Sequence, residues 1–383
     1  MKRPRRLIGL GVLLITAVAG FGVSEALHRP PTFNLSGIEF PYALHQSHGM
    51  PVIEVLFVTN RRPLPGRNDG VFGNERDDTL HYGRAEVRIP TSHTIADVQR
   101  PDIPRGLIDE DQATLLTINL MSESSFRSHL KRRMAGHEND GATLFVHGIN
   151  NSFDSAVREG GSLQFGLNLR RPIIVFSWPT LPGVSIDSYR SSQAQVDASA
   201  RALEMFLEPY RRSHFNLVAH SLGSKVVCQT FRRLIRNTLW NTHQTELPNV
   251  ILAAPDVGTD TFTGAFLSEA KAVADRTTIY VASNDHALVM SEILNGRSRL
   301  ATSITPEYAV RTLVDMPAGD NSRVEIIDAK FVNNARTAHG YYYQSRAVFA
   351  DFYNLIRNNL PAHQRNLLRA KNAQKANYWI IPP

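Results

Sequence analysis

Short apolar runs alternate with amphipathic stretches through most of this chain, and the two periods are easy to tell apart. Residues 52–59 form a strongly β-prone run, and residues 85–89 alternate as a half-buried strand does. Between them, residues 61–79 carry Pro63, Pro65, Gly66, Gly70 and Gly73 and read as a long polar loop. Residues 115–120 predict a further short strand and residues 126–134 a surface helix. From residue 142 the pattern becomes regular. Continuous apolar runs at 143–146, 173–178, 216–219, 249–253, 277–282 and 324–327 predict buried strands. Helical periodicity lies between or after them, at 153–169, around Val196, Ala200, Leu203 and Leu207, from Ser221 to about Asn237, and around Val348, Phe352, Leu355 and Ile356. Buried strands separated by helices of this length predict an α/β fold: a mostly parallel central sheet with helices on both faces. No internal repeat is visible, and no change of composition after residue 50 marks a second domain, so residues 51–383 read as one domain.

The sharpest local signal is Asn216-Leu217-Val218-Ala219-His220-Ser221-Leu222-Gly223-Ser224. A strand breaks off in small residues, and a helix starts at once with Val227, Phe231, Leu234 and Ile235 on one face. Strand, tight turn and helix with a serine at the apex match the pattern G-x-S-x-G, with Ala219 at the first glycine position. A serine capping an ordinary helix gives a similar local pattern. The remaining strand ends separate the two readings, because in a parallel sheet reactive loops gather at the carboxyl ends of the strands. His147-Gly148-Ile149 follows the 143–146 strand, Asp256 the 249–253 strand, Asp285 the 277–282 strand, and His339 the 324–327 strand beyond a short loop. Serine, carboxylate and histidine therefore occur in the order Ser…Asp…His.

That set predicts Ser221 as nucleophile, His339 as its base and Asp285 as the acid that orients the base, with Asp256 as the alternative acid. The backbone N–H groups of Leu222 and Ile149 are expected to form the oxyanion hole, with Asn150 fixing that loop or adding a donor. His220 is expected to point away from the reaction, His147 to brace the oxyanion loop, and His286 to be a weak competitor as base. Trp178 either lines the pocket or fills the core.

Composition narrows the picture. An apolar share of 42% and a charged share of 20% fit a globular protein with a sizeable core. The single cysteine, Cys228, excludes an intrachain disulfide and a Cys-based metal cluster. His45 and His48 lack a third ligand, so no metal and no cofactor is expected. The net charge of +7 is mild and spread out apart from Lys2, Arg3, Arg5 and Arg6, and no nucleic-acid module is present. Those four basic residues precede the 17-residue uncharged run 7–23, and either Ala17-Val18-Ala19 within it or Ser24-Glu25-Ala26 after it offers a signal-peptidase site. Residues 1–26 therefore read as a signal peptide or an N-terminal membrane anchor; 17 helical residues span about 25 Å, the short limit for a bilayer. Either way the body is expected outside the cytoplasm, periplasmic, extracellular or anchored to the membrane through residues 7–23. Residues 27–50, rich in Pro, His and Ser, read as a tether.

The segments VLFVTNRR (55–62), LFVHGINNSF (144–153), VFSWPT (175–180), LVAHSLGSKVV (217–227), ILAAPDV (251–257), YVASNDHAL (280–288) and AHGYYYQS (338–345) together resemble the α/β-hydrolase family known as DUF900, an esterase/lipase-like group. The resemblance spans roughly residues 52–357. It implies the α/β-hydrolase fold with Ser221, Asp285 and His339 at the catalytic positions, and it implies no substrate. The expected activity is serine-dependent hydrolysis of a small-molecule or lipid carboxylic ester. An amidase, peptidase or acyltransferase on the same residues, or a non-catalytic exported binding module, are the alternatives. Residues 287–323 form a long insertion that reads either as a lid or as a surface helix packing its own apolar face.

Overall fold

The computed structural model describes residues 43–47, 50–64, 72–90, 113–135, 141–183, 185–210, 214–236, 247–258, 261–288, 291, 323–333, 339–371 and 377–383. The expected signal or anchor, most of the tether and most of the 287–323 insertion lie outside the described residues.

The strands are β1 (Ala43–Ser47), β2 (Met50–Pro63), β3 (Phe72–Arg88), β4 (Thr114–Met121), β5 (Ala142–Val146), β6 (Ile173–Ser177), β7 (Phe215–His220), β8 (Leu247–Ala253), β9 (Ala274–Val281), β10 (Val324–Asp328), β11 (Leu368–Lys371) and β12 (Asn377–Ile380). They form one sheet in the order β11-β12-β10-β9-β8-β7-β5-β6-β2-β3-β4, with β1 paired to β2. From β12 through β10, β9, β8, β7, β5 and β6 to β2, every pairing is parallel. β3, β4, β1 and β11 add antiparallel pairs at the margins. β5, β6 and β7 are buried at every residue, as expected where both faces of a parallel sheet are covered.

The helices are α1 (Glu123–Met134), α2 (Phe153–Gly166), α3 (Ile186–Ala194), α4 (Val196–Leu207), α5 (Leu222–Leu234), α6 (Leu267–Val273), α7 (Tyr341–Gln344) and α8 (Arg346–Asn358). Alternation along β3 shows that they cover opposite faces. Val87 points at α2, where a Cβ on Gly161 would lie 3.0 Å from it. Tyr82, of opposite parity, packs its ring tilted against Phe126 of α1, which in turn meets Phe206 of α4. Ser122, Ser152, Ser185 and Ser345 cap α1, α2, α3 and α8 through their side chains.

Three expectations change. Residues 43–47, placed in the tether, form β1 against β2. The polar loop expected over 61–79 is much shorter: β2 continues to Pro63 and β3 already begins at Phe72. α3, β11 and β12 carry no strong apolar period and were not expected. Cys228 is buried inside α5, where burial pushes its thiol pKa well up, so it behaves as a small core residue.

Candidate active site

The end of β7 meets the start of α5 at Ser221, whose φ of 51° and ψ of −125° lie where side-chain-bearing residues rarely go. The turn is held by its own backbone: Ser221 N–H donates to Ala253 (3.0 Å), and the Ser221 carbonyl accepts from Ser224 (3.0 Å) and Asp256 (3.1 Å). Neighbours at this turn must be small. A Cβ on Gly223 would stand 2.4 Å from the His147 carbonyl oxygen and 2.6 Å from that of Val146. A Cβ on Gly148 would stand 2.9 Å from His220 Nδ1 and 3.0 Å from Ser221 Cβ. The loop after β5 is thus pressed against the nucleophile turn. Leu222 opens α5, so its N–H has no acceptor within the helix.

The loop after β5 is braced from behind. His147 is wholly buried; its Nε2 accepts from the Trp178 backbone N–H (3.1 Å), so its Nδ1 carries the proton donated to the Gly148 carbonyl (2.7 Å). Burial, then the charge of Arg61, push its pKa down to about 3, so it stays neutral. Trp178 is also wholly buried, lies parallel to the His147 ring and donates from Nε1 to the His147 carbonyl at 2.8 Å. It is part of the hydrophobic core. Asn150, at φ 60°, accepts on Oδ1 from the Gly183 N–H at 2.5 Å, tying this loop to the one after β6.

At the ends of β9 and β10 the chain brings two distant residues together. His339 Nδ1 lies 2.8 Å from Asp285 Oδ2, with Asp285 fully buried and His339 partly exposed. The other Asp285 oxygen accepts from the Leu288 N–H at 3.1 Å. Burial opposes a charged His339, but the Asp285 charge, its hydrogen bond and the Asp256 charge together raise its pKa above the ordinary value. Asp256, the alternative acid, is engaged elsewhere: Tyr189 donates to it at 2.8 Å and Ser291 at 2.7 Å. Among the described residues, His286 is exposed, and no group of three or more His, Cys, Asp or Glu could hold a metal ion.

His220 departs from expectation. Its ring turns back toward the site, 4.8 Å from the His339 ring and 4.4 Å from that of Tyr342. The ring is buried there, and burial pushes its pKa well down. The residue next to Ser221 therefore touches the residue that binds Asp285, so all three predicted catalytic positions share one corner of the sheet. No sequence signal announces the Tyr189–Asp256–Ser291 triangle, whose members are 67 and 35 residues apart.

No curated protein matches the chain. Among solved structures, phospholipase PlaB from Legionella pneumophila in complex with thio-NAD is similar at 15% identity, over 55% of this chain and 43% of that one, with a TM-score of 0.25. The chain thus matches less than half the length of that phospholipase. The rice cell wall degrading esterase LipA from Xanthomonas oryzae, solved as a mutant, is similar at 9% identity, over 82% of this chain and 92% of that one, with a TM-score of 0.32. A family model described as an alpha/beta hydrolase of unknown function (DUF900) matches residues 122–358, a span that contains Ser221, Asp285 and His339, and the chain belongs to that family.

Proposed function

We propose that this protein is a serine hydrolase that cleaves carboxylic esters through an acyl-enzyme on Ser221. The observation that carries the reading is a serine held at positive φ at a strand–helix turn, in the same corner as a histidine paired with a buried carboxylate. Backbone strain of this kind costs about 1–3 kcal/mol and persists where the surroundings impose it, most often at functional sites.

In this reading Ser221 Oγ attacks the ester carbonyl as its proton passes to His339 Nε2. The negative charge that forms on the carbonyl oxygen is met by the Leu222 and Ile149 N–H groups. The Asp285 carboxylate fixes the Nδ1–H tautomer of His339 and stabilises the imidazolium. The alcohol leaves with the proton from His339, and water repeats the sequence to free the acid. Asp256 adds negative charge near His339 and fixes Tyr189 and Ser291.

Matched p-nitrophenyl esters and p-nitroanilides of increasing acyl length test this. Wild type is expected to turn over esters at least tenfold faster than anilides, and Ser221→Ala to turn over neither. Faster anilide release would make the protein an amidase on the same site. Equal turnover by wild type and Ser221→Ala would remove the reading. We infer further that residues 1–26 carry the body out of the cytoplasm, which fractionation of cells expressing the full chain checks.

A further inference from the structure

Arg61, at the end of β2, is wholly buried, yet no carboxylate among the described residues pairs with it. Among the described residues its guanidinium is met by neutral oxygens. Nε donates to Ser177 Oγ (2.9 Å), one terminal nitrogen to Asn74 Oδ1 (3.0 Å) and the Gly73 carbonyl (3.3 Å), and the other to the Asn151 carbonyl (2.7 Å). Such burial is costly, since an ion taken from water usually regains stability from an opposite charge. Arg365, another buried arginine, has two carboxylates. Arg61 has none among the described residues, and it lies at the carboxyl edge of the sheet, under the loop that contains Ile149.

Two consequences follow from this position. Asn151 is two residues beyond Ile149, and its carbonyl is gripped from two sides, by Arg61 and by Thr180 Oγ1 at 2.7 Å. Among the described residues no neighbour of opposite sign screens the charge, and its field already reaches His147, the first residue of that loop, where it lowers the pKa. Burial lowers the pKa of Arg61 itself to about 9, which leaves it charged at neutral pH.

Resting on the ester-hydrolase reading above, we propose that Arg61 is a positioning residue for the oxyanion: it holds the 147–151 loop so that the Ile149 N–H faces the tetrahedral intermediate, and it supplies the positive field beneath that loop. A fixed charge with no partner acts most strongly when a negative charge appears in the same dry region, which is the transition state and not the neutral ester.

The test compares Arg61→Met and Arg61→Lys with wild type. Three quantities are read: kcat and KM per active site, with sites counted by fluorophosphonate titration; inhibition by an alkyl trifluoromethyl ketone; and Tm. Ser221 Oγ adds to that ketone while its proton passes to His339, which leaves a hemiketal oxyanion in the place of the intermediate. Arg61→Met is expected to lower kcat by about tenfold to a hundredfold, somewhat less than loss of a direct oxyanion donor. KM should stay within about threefold, and ketone affinity should fall by the same factor as kcat/KM. Arg61→Lys, which keeps the charge and loses the fork, is expected to recover part of both losses. A lowered Tm with kcat per active site and ketone affinity unchanged would overturn the proposal and leave Arg61 as a structural strut. If Arg61→Met does not fold, Arg61→Lys decides alone: ketone affinity falling at unchanged KM supports the proposal, and unchanged ketone affinity overturns it. Fluorophosphonate labelling of wild type equal to that of Ser221→Ala would instead remove the ester-hydrolase reading itself.

Discussion

Ser221, His339 and Asp285 illustrate what a residue's surroundings add to its type. Hydrolysis in the free enzyme needs neutral His339, so kcat/KM is expected to fall as pH drops through the His339 pKa, which lies above 6.5. Removing the Asp285 charge removes the leading cause that raises this pKa and leaves burial, which lowers it. Asp285→Asn should therefore shift the acid limb of the pH–rate profile to lower pH while reducing kcat about 10⁴-fold. Asp256→Asn touches only the weakest contribution to His339 and should move the limb much less. An equal displacement by both variants would show that Asp285 is not the principal partner. The order Ser…Asp…His was legible in the sequence because each residue follows a strand. That Asp256 is occupied by Tyr189 and Ser291 was not legible, since hydrogen bonds between distant loops leave no local pattern. His220 was misread for a related reason: alternation says which face a strand residue takes, but not that α7 brings Tyr342 and His339 over that face.

Elements were legible in proportion to their apolar period. β5 to β10 are buried along most of their length, and they appear in the sequence as continuous apolar runs with boundaries close to those observed. The margins of the sheet were not: β11 is LRAK and largely exposed, β12 is short, and the outer part of β3 carries charged residues such as Glu75 and Arg76. Strands there are fixed by pairing to a neighbour, which composition alone does not encode. α3, with the sequence IDSYRSSQA, owes its start to the Ser185 cap more than to an apolar face. The junction of β7 and α5 is the element on which function depends most, and it makes a direct prediction. Gly223→Ala places a Cβ against two carbonyl oxygens of the β5 end, which backbone cannot easily yield. It should cost about 1–3 kcal/mol in denaturant unfolding and reduce kcat, because the oxyanion loop must shift. Ala219→Gly, with the motif's usual residue restored, should fold with a loss of at most about 1 kcal/mol and keep its activity.

The molecule as a whole is one sheet whose carboxyl edge bears the candidate site and whose C-terminal segment closes one margin. Arg365 joins α8 to β10 just before β11, donating to Glu325 at 2.6 Å and Asp351 at 2.9 Å, while Tyr280 donates to Asp351 at 2.6 Å. Arg365→Met would leave buried Asp351 without this cation and Glu325 with Arg276 at 3.7 Å, and should cost about 3–5 kcal/mol. The loss should appear as a lower Tm with kcat per folded molecule nearly unchanged, because this cluster lies apart from Ser221. Among the described residues no helix is long and apolar enough to cross a membrane. The central claim, that Ser221 is a nucleophile activated by His339 and Asp285, is tested most directly by covalent labelling. A fluorophosphonate should attach at Ser221 in wild type, verified by peptide mass, with labelling lost in Ser221→Ala and slowed strongly in His339→Ala. Labelling of wild type at another residue, or undiminished labelling of Ser221→Ala, would contradict the account.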